Sequence, residues 1–443
     1  MQRSASASAT TTATANATTG HRVVPARARI AAELGLVLAI SLAVRALFLL
    51  VMPESALSLD VRGWKSVALE LAEGRNPYAT TTRLNWPPLW MLCIDAMSRT
   101  ARLLEVDFAR VLQAFLVSVD LAVAALAYGI LRSLAVVDAT KIVIFGISLN
   151  PILILLNCQH CNFDILVGGL VLAFVAALVC HARQRTATRD ATPWLLACFL
   201  LGLAVLAKTV PIVLAPLLAI GLDRVSWGKR IFGATLVCFP VLLGLGVVFV
   251  LAPNAVIDNV LAYRSAPGSF GWTAILQWLE LDSVLAAYSR AFPFALLAML
   301  ALVARHVRRH SRQLDGSAIA MLAVILLIAV PTFGPGYGSQ YVCWYLPTLV
   351  IVAGVTQQMR RPLAILLGIA SLVYIFEYAL FPAQGAFLLW MTSFAEPIRS
   401  WSQAFASPSA QAIARLPFFA ASLALIWLLA RRVSVSARNG PGR

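Results

Sequence analysis

Asp60 is the carboxylate on which the chemistry of this 443-residue chain would turn. It lies in the polar stretch 53–91, PESALSLDVRGWKSVALELAEGRNPYATTTRLNWPPLWM, just after the first long apolar run. An aspartate there has two readings. It caps the helix that VRGWKSVALEL would form, or it takes a proton from an incoming hydroxyl as a general base. Lys208, in Ala207-Lys208-Thr209-Val210-Pro211, has no acid near it in sequence. It either pairs with Asp120 or Asp164 or contacts a phosphate. Arg264 stands in a loop rich in glycine and aromatic residues. It is suited to clamping a phosphate with two N–H groups, and a solvated loop arginine is the plainer alternative. His160 and Asp164 close the run Asn157-Cys158-Gln159-His160-Cys161-Asn162-Phe163-Asp164. One CxxC with no second pair falls short of the four ligands of a zinc site, so these residues read as polar helix ends. Trp86, Gln340, Tyr341 and Glu377 complete the set. All of these residues fall in outer loops or near the outer ends of apolar spans, where ionisable groups usually face a cavity and have a function.

Membrane helices must hold these side chains. Hydrophobic residues make up 60% of the chain and charged ones 12%, against roughly 25% charged in soluble proteins. Apolar spans are expected at 30–52, 108–131, 141–157 and 165–181, with two short ones inside 193–222. Others follow at 231–252, before RHVRRHSRQ (305–313), at 317–332, before Arg360-Arg361, at 363–381 and before Arg431-Arg432. This is an all-α polytopic membrane protein with about twelve transmembrane helices. Residues 86–106 are excluded as a span by Pro87, Pro88, Asp95, Arg99 and Arg102 and read as a surface helix. Counting them as a span would invert every later loop and scatter basic loops that otherwise lie on one side. One membrane domain, 30–432, is therefore expected, with surface helices in a first outer loop at 53–107. Residues 1–29 read as a disordered cytoplasmic tail, although their composition is also similar to a transit peptide, and 433–443 as a second cytoplasmic tail. Arg45, within the first span, either snorkels outward or faces a polar interior.

The net charge of +16 follows the loops of one side. It describes topology and gives no sign of a nucleic-acid partner. Seven cysteines, mostly in apolar runs, make no disulfide framework. No glycine-rich phosphate cradle follows a strand, which excludes a nucleotide-binding domain.

Taken in order, several segments resemble a known family. They are Asp60, an amphipathic helix, Trp86-Pro87-Pro88-Leu89, Val119-Asp120-Leu121, Asn150-Pro151 and the run from Asn157 to Asp164. Together they resemble the polyprenyl-phosphate-sugar-dependent glycosyltransferases of the GT-C fold. Among these they are similar to the dolichyl-phosphate-glucose-dependent glucosyltransferases. Glu73-Gly74-Arg75-Asn76-Pro77-Tyr78, Ser339-Gln340-Tyr341 and Trp344-Tyr345-Leu346 look more like the first mannosyltransferase of GPI-anchor synthesis and its bacterial relatives. The resemblance implies an inverting transfer of a hexose, mannose or glucose, from a polyprenyl-phosphate donor to a glycolipid or glycan acceptor. It makes Asp60 the catalytic base and Lys208 and Arg264 the groups that offset the departing phosphate's charge. Trp86, His160, Asp164, Gln340 and Tyr341 become contacts to sugar or acceptor. The mannosyltransferase has an Asp-x-Asp, and Ser58 stands where its first aspartate would fall. That departure disfavours a divalent metal, and no cofactor is expected. The expected setting is a bacterial inner membrane with the site facing the periplasm and both termini in the cytoplasm.

The rival reading is a secondary transporter or lipid flippase, whose site would lie near the midplane between internal repeats. No repeat is visible. A scaffold that only binds polyprenyl lipid is a third reading. Depth separates them. Asp60 and Lys208 at one outer cavity favour the enzyme, and Lys208 buried with Asp120 favours transport.

Overall fold

The computed structural model describes residues 26–51, 58–184, 190–261, 270–336, 338–380 and 408–438. These residues are helical or irregular, and none of them forms a strand. Helix α1 (Ala26–Val51) is the first apolar span. Three helices then precede the next long one: α2 (Leu59–Ala72), the single turn α3 (Pro77–Thr80) and α4 (Pro88–Leu103). Helix α4 is short and amphipathic, as its prolines and charges require. It packs Trp90, Ile94 and Met97 into the core and leaves Arg99 and Asp95 paired at its surface. Helix α5 (Phe108–Ser133) follows.

The third apolar segment departs from the single helix expected over 141–157. Helix α6 (Ala139–Val143) runs into a π-helical turn at Ile144–Ser148, and α7 (Pro151–Ile154) into a second one at Leu155–His160. The two halves meet at 48°. Pro151 is the cause. It has no N–H for the preceding turn, its ring clashes with that turn, and it forces Asn150 into an extended conformation. The Asn150 side chain then caps the new start by accepting from the Ile152 N–H at 3.0 Å.

Helix α8 (Asp164–Arg183) is the central span, packed on α5 and on α9 (Thr192–Ala207). A 3-10 helix, Val210–Ala219, continues from α9. Beyond it come α10 (Trp227–Leu251), α11 (Pro253–Val256), α12 (Gly271–Trp278), α13 (Asp282–His310) and α14 (Gly316–Phe333). A 3-10 segment, Ser339–Trp344, leads to α15 (Leu346–Val355), α16 (Arg360–Leu380) and α17 (Pro408–Arg438). Among the described residues, seven helices are long and apolar enough to cross a membrane, or eight if the bent pair counts as one span, so the chain is a multi-pass membrane protein. Reaching the expected count of about twelve requires α16 and the three shorter apolar helices Thr192–Ala207, Val210–Ala219 and Leu346–Val355 to cross as well.

Arg45 does not snorkel. It is fully buried, ion-paired with the equally buried Asp120 of α5. Its guanidinium also donates to the carbonyls of Ile147, at 3.2 Å, and of Ser148. An unbroken helix would offer the Ile147 carbonyl to residue 151, which here is a proline. The arginine thus serves acceptors that the break releases. Ser41 and Ser148 share a further hydrogen bond of 2.6 Å across the same contact.

Arg45→Met should leave an unpaired acid in an apolar interior and lower stability by about 3–5 kcal/mol, read as a lower unfolding midpoint in detergent. Arg45→Met with Asp120→Leu should recover part of that loss. Equal losses in both proteins would mean that the carbonyl contacts, and not the ion pair, dominate.

Candidate active site

The site is built where several elements end together: the start of α2, the end of the broken third segment, the start of α8, the end of α9 and the 3-10 segment after α14. At the opposite end of the bundle Glu33 joins Tyr128 and Thr140, and Arg360 pairs with Asp138.

Asp60 lies in the first turn of α2 but does not cap it. The cap is Ser58, whose Oγ accepts from the Val61 N–H at 3.2 Å. Asp60 is therefore free for other partners. Its Oδ2 accepts from His160 Nε2 at 2.9 Å and from Asn162 Nδ2 at 2.9 Å. The Asp60 side chain stays 29% exposed, which leaves it within reach of a substrate. Burial acts to raise its carboxyl pKa. The hydrogen bond from His160, that residue's charge, the hydrogen bond from Asn162 and the positive charge of Lys208 outweigh burial. The carboxyl is held below the ordinary carboxylate range and is ionised at neutral pH. An ionised carboxylate only accepts, so His160 Nε2 carries the proton between them.

His160 and Asn162 reach the same oxygen because of the residue between them. Cys161 adopts a left-handed conformation, φ 55°, which ends the π-helical turn. Left-handed backbone is uncommon outside glycine, and here it turns the chain so that both neighbours face Asp60. Asn162 is fixed from both sides, since its Oδ1 accepts the Asp164 N–H at 2.9 Å while its Nδ2 serves Asp60. One more contact orders this segment: Gln113 of α5 donates to the Cys158 carbonyl at 3.1 Å.

Lys208 is the extended residue that ends α9, followed closely by Pro211. Its Nζ lies 2.7 Å from Asp164 Oδ1. Of the partners considered from the sequence, Asp164 is the one it takes, and Asp120 belongs to Arg45. The ammonium also faces three aromatic rings, Phe163 at 5.4 Å, Tyr341 at 5.0 Å and Trp344 at 4.9 Å from the ring centroids. Tyr341 and Trp344 are stacked, 4.0 Å apart. Gly168 makes this approach possible. It lies against the Cys343 carbonyl, closer than any β-carbon would allow, and so admits the 3-10 segment onto α8.

Phe163 also belongs to a cluster with Trp64, Trp86 and Trp90. It stacks on Trp90 at 4.4 Å and meets Trp86 edge-on at 5.3 Å. Tyr78 donates to the Trp86 carbonyl at 2.6 Å, which fixes the turn before α4. The structure thus gathers Asp60, His160, Asp164, Lys208, Tyr341 and Trp86 around one segment, 160–164. Gln340 adjoins Tyr341 and is half-buried. Arg264 and the side chain of Glu377 lie outside the described residues. Among the described residues, no three His, Cys, Asp or Glu side chains come together to hold a metal ion. Sequence reading missed Asn162, Phe163 and Trp344 as site residues. The signal for the first two was their place between His160 and Asp164.

No family model and no curated protein matches the sequence. Solved structures do match the fold. The crystal structure of ArnT from Cupriavidus metallidurans bound to undecaprenyl phosphate aligns with a TM-score of 0.50 at 14% identity, covering 92% of this chain and 78% of that one. The apo state of the same protein aligns at 0.47 and 14%, covering 88% and 76%. The chain has the GT-C fold, in the form of a polytopic helical membrane protein.

Infrared titration tests the electrostatics of the site directly. In spectra of wild type minus Asp60→Asn, the protonated-carboxyl band should emerge only below the ordinary carboxylate range, because a lowered pKa keeps the group ionised into more acidic solution. His160→Phe removes the chief lowering influence and should move the band to higher pH. An unchanged band would remove His160 from this role.

Proposed function

We propose that this chain is a membrane glycosyltransferase that uses a polyprenyl-phosphate-linked sugar. In this reading it moves a hexose, mannose or glucose, onto a lipid-linked or glycan acceptor with inversion. The single observation that carries the reading is the Asp60 carboxylate, partly exposed and held on one oxygen by two donors. No described residue bonds its other oxygen, Oδ1, which would receive the acceptor's proton. The GT-C fold supports the same reading, as does the undecaprenyl phosphate bound to the ArnT structure of like fold.

The chemistry is one in-line displacement. The acceptor oxygen bonds to the anomeric carbon as its proton passes to Asp60 Oδ1. The bond from that carbon to the phosphate oxygen breaks, and its electron pair leaves on the polyprenyl phosphate. A carboxylate held below its usual pKa is a weak base towards a free hydroxyl. It suits a proton that becomes acidic only as the new bond forms, so transfer is late and concerted. The positive charge of Lys208, felt at Asp60, offsets charge growing on the phosphate. Asp164 neutralises that ammonium in the resting protein, and Arg264 is proposed as the second phosphate contact. Trp86, His160, Asp164, Gln340 and Tyr341 are proposed to line the sugar and acceptor sites. No metal or cofactor takes part in the scheme. The proposed setting is a bacterial inner membrane, with the site facing the periplasm and both termini in the cytoplasm. The transport alternative would pair Lys208 with Asp120 at mid-span, and each of these residues has a different partner.

Purified wild type and Asp60→Asn should be compared for transfer of labelled hexose from a short-chain polyprenyl-phosphate-hexose to a cell lipid extract. The variant should lose about two orders of magnitude or more in rate at similar protein yield. Equal transfer by both proteins would remove Asp60 from the mechanism.

A further inference from the structure

The hydroxyl of Ser58 holds two hydrogen bonds at one atom. It accepts from the Val61 N–H at 3.2 Å and donates to the His160 carbonyl oxygen at 2.7 Å. The first bond caps α2, the helix that carries Asp60. The second crosses to the π-helical turn 102 residues further along the chain. The His160 carbonyl needs that donor. In a continued helix it would accept from the residue 164 amide, but the Asp164 N–H is taken by Asn162. His160 is consequently gripped at both ends, its backbone by Ser58 and its ring by Asp60.

The residue type at 58 is narrowly specified. A hydroxyl has one proton to give and lone pairs to receive. An ionised aspartate would cap the helix equally well but has no proton for the carbonyl, and the two oxygens would repel. Alanine offers neither bond. Threonine keeps both. Two separate segments thus meet through two residues of α2's N-terminus: Ser58 sets where the backbone of His160 lies, and Asp60 takes the side chains of His160 and Asn162. The charged groups that act on Asp60 are His160 and Lys208.

We propose that Ser58 is a positioning residue of the site. By tying the start of α2 to the His160 carbonyl, its hydroxyl holds Asp60 Oδ2 against His160 and Asn162 and leaves Oδ1 turned to the acceptor. This proposal rests on the reading of Asp60 as the general base. It adds that the serine acts on proton transfer through the placement of Asp60.

The test compares full-length wild type, Ser58→Ala, Ser58→Thr and Asp60→Asn in three measurements: unfolding midpoint, infrared titration of the Asp60 carboxyl, and kcat and KM for hexose transfer. Ser58→Ala should fold, move the Asp60 band to higher pH and lower kcat by about 10- to 100-fold, the range of a slightly misplaced catalytic group. Donor KM should change little, and Ser58→Thr should restore both the band and kcat. A Ser58→Ala protein with a lower midpoint but a wild-type band and kcat would reduce Ser58 to a helix cap and overturn the proposal. So would a fall in kcat that threonine fails to restore. Should Asp60→Asn retain wild-type transfer, the general-base reading fails on its own. The infrared shift in Ser58→Ala would still decide whether the serine positions the carboxylate.

Discussion

A proline has no N–H to give, and Pro151 stands where the third apolar segment would otherwise run straight. Much of the site follows from that missing group. The helix breaks, its two halves meet at 48°, and the second half ends in a π-helical turn that carries His160. In an apolar interior the released carbonyls cannot turn to water, and an unserved polar group there is expensive. Arg45 serves them from α1, and Asp120 neutralises Arg45 from α5. A charge pair that would be a poor investment elsewhere stabilises a bend that leads to His160.

The same economy governs the polar end. Asp60 and Lys208 are opposite charges brought near one another, but neither neutralises the other by contact. Asp60 is held by the His160 and Asn162 side chains, and Lys208 by Asp164 and three aromatic faces. A direct Asp60–Lys208 bridge would block the carboxylate. Keeping them apart leaves an ionised group with one open oxygen beside a cation whose charge it feels. The aromatic cluster of Trp64, Trp86, Trp90 and Phe163 supplies the rigid, dry wall behind them, and Phe163 belongs both to that wall and to the cage of Lys208.

Three short stretches therefore act as one unit: the start of α2, the run 160–164 and the end of α9. Each is irregular for a local reason. Ser58 opens a helix, Cys161 takes a left-handed turn, and Lys208 leaves α9 in an extended conformation ahead of Pro211. Irregular backbone inside a membrane protein is tolerated where it lines a cavity or is buried in protein, and here three such stretches meet around Asp60, His160 and Lys208.

By itself the sequence determined that the chain is helical and crosses a membrane several times, that Pro87, Pro88 and the charges of 86–106 leave only a short amphipathic helix there, and which polar residues resist a structural explanation. Hydropathy and proline chemistry act over a few residues, so a reader of the chain can recover them. Asp60, His160, Asp164, Lys208 and Tyr341 could be singled out as candidates for the same reason, as polar types stranded at the ends of apolar runs, and the fold brings them together. Tertiary structure alone decided who pairs with whom. Asp120 and Asp164 are chemically identical candidates for Lys208 and Arg45, and only the packing of α5, α8 and α9 assigns one to each. Ser58 and Asp60 are both sound helix caps, and only the arrival of His160 and Asn162 from 100 residues away leaves the cap to the serine. Partner choice is a contest between distant groups for the same few hydrogen bonds, and the contestants meet only once the chain has folded.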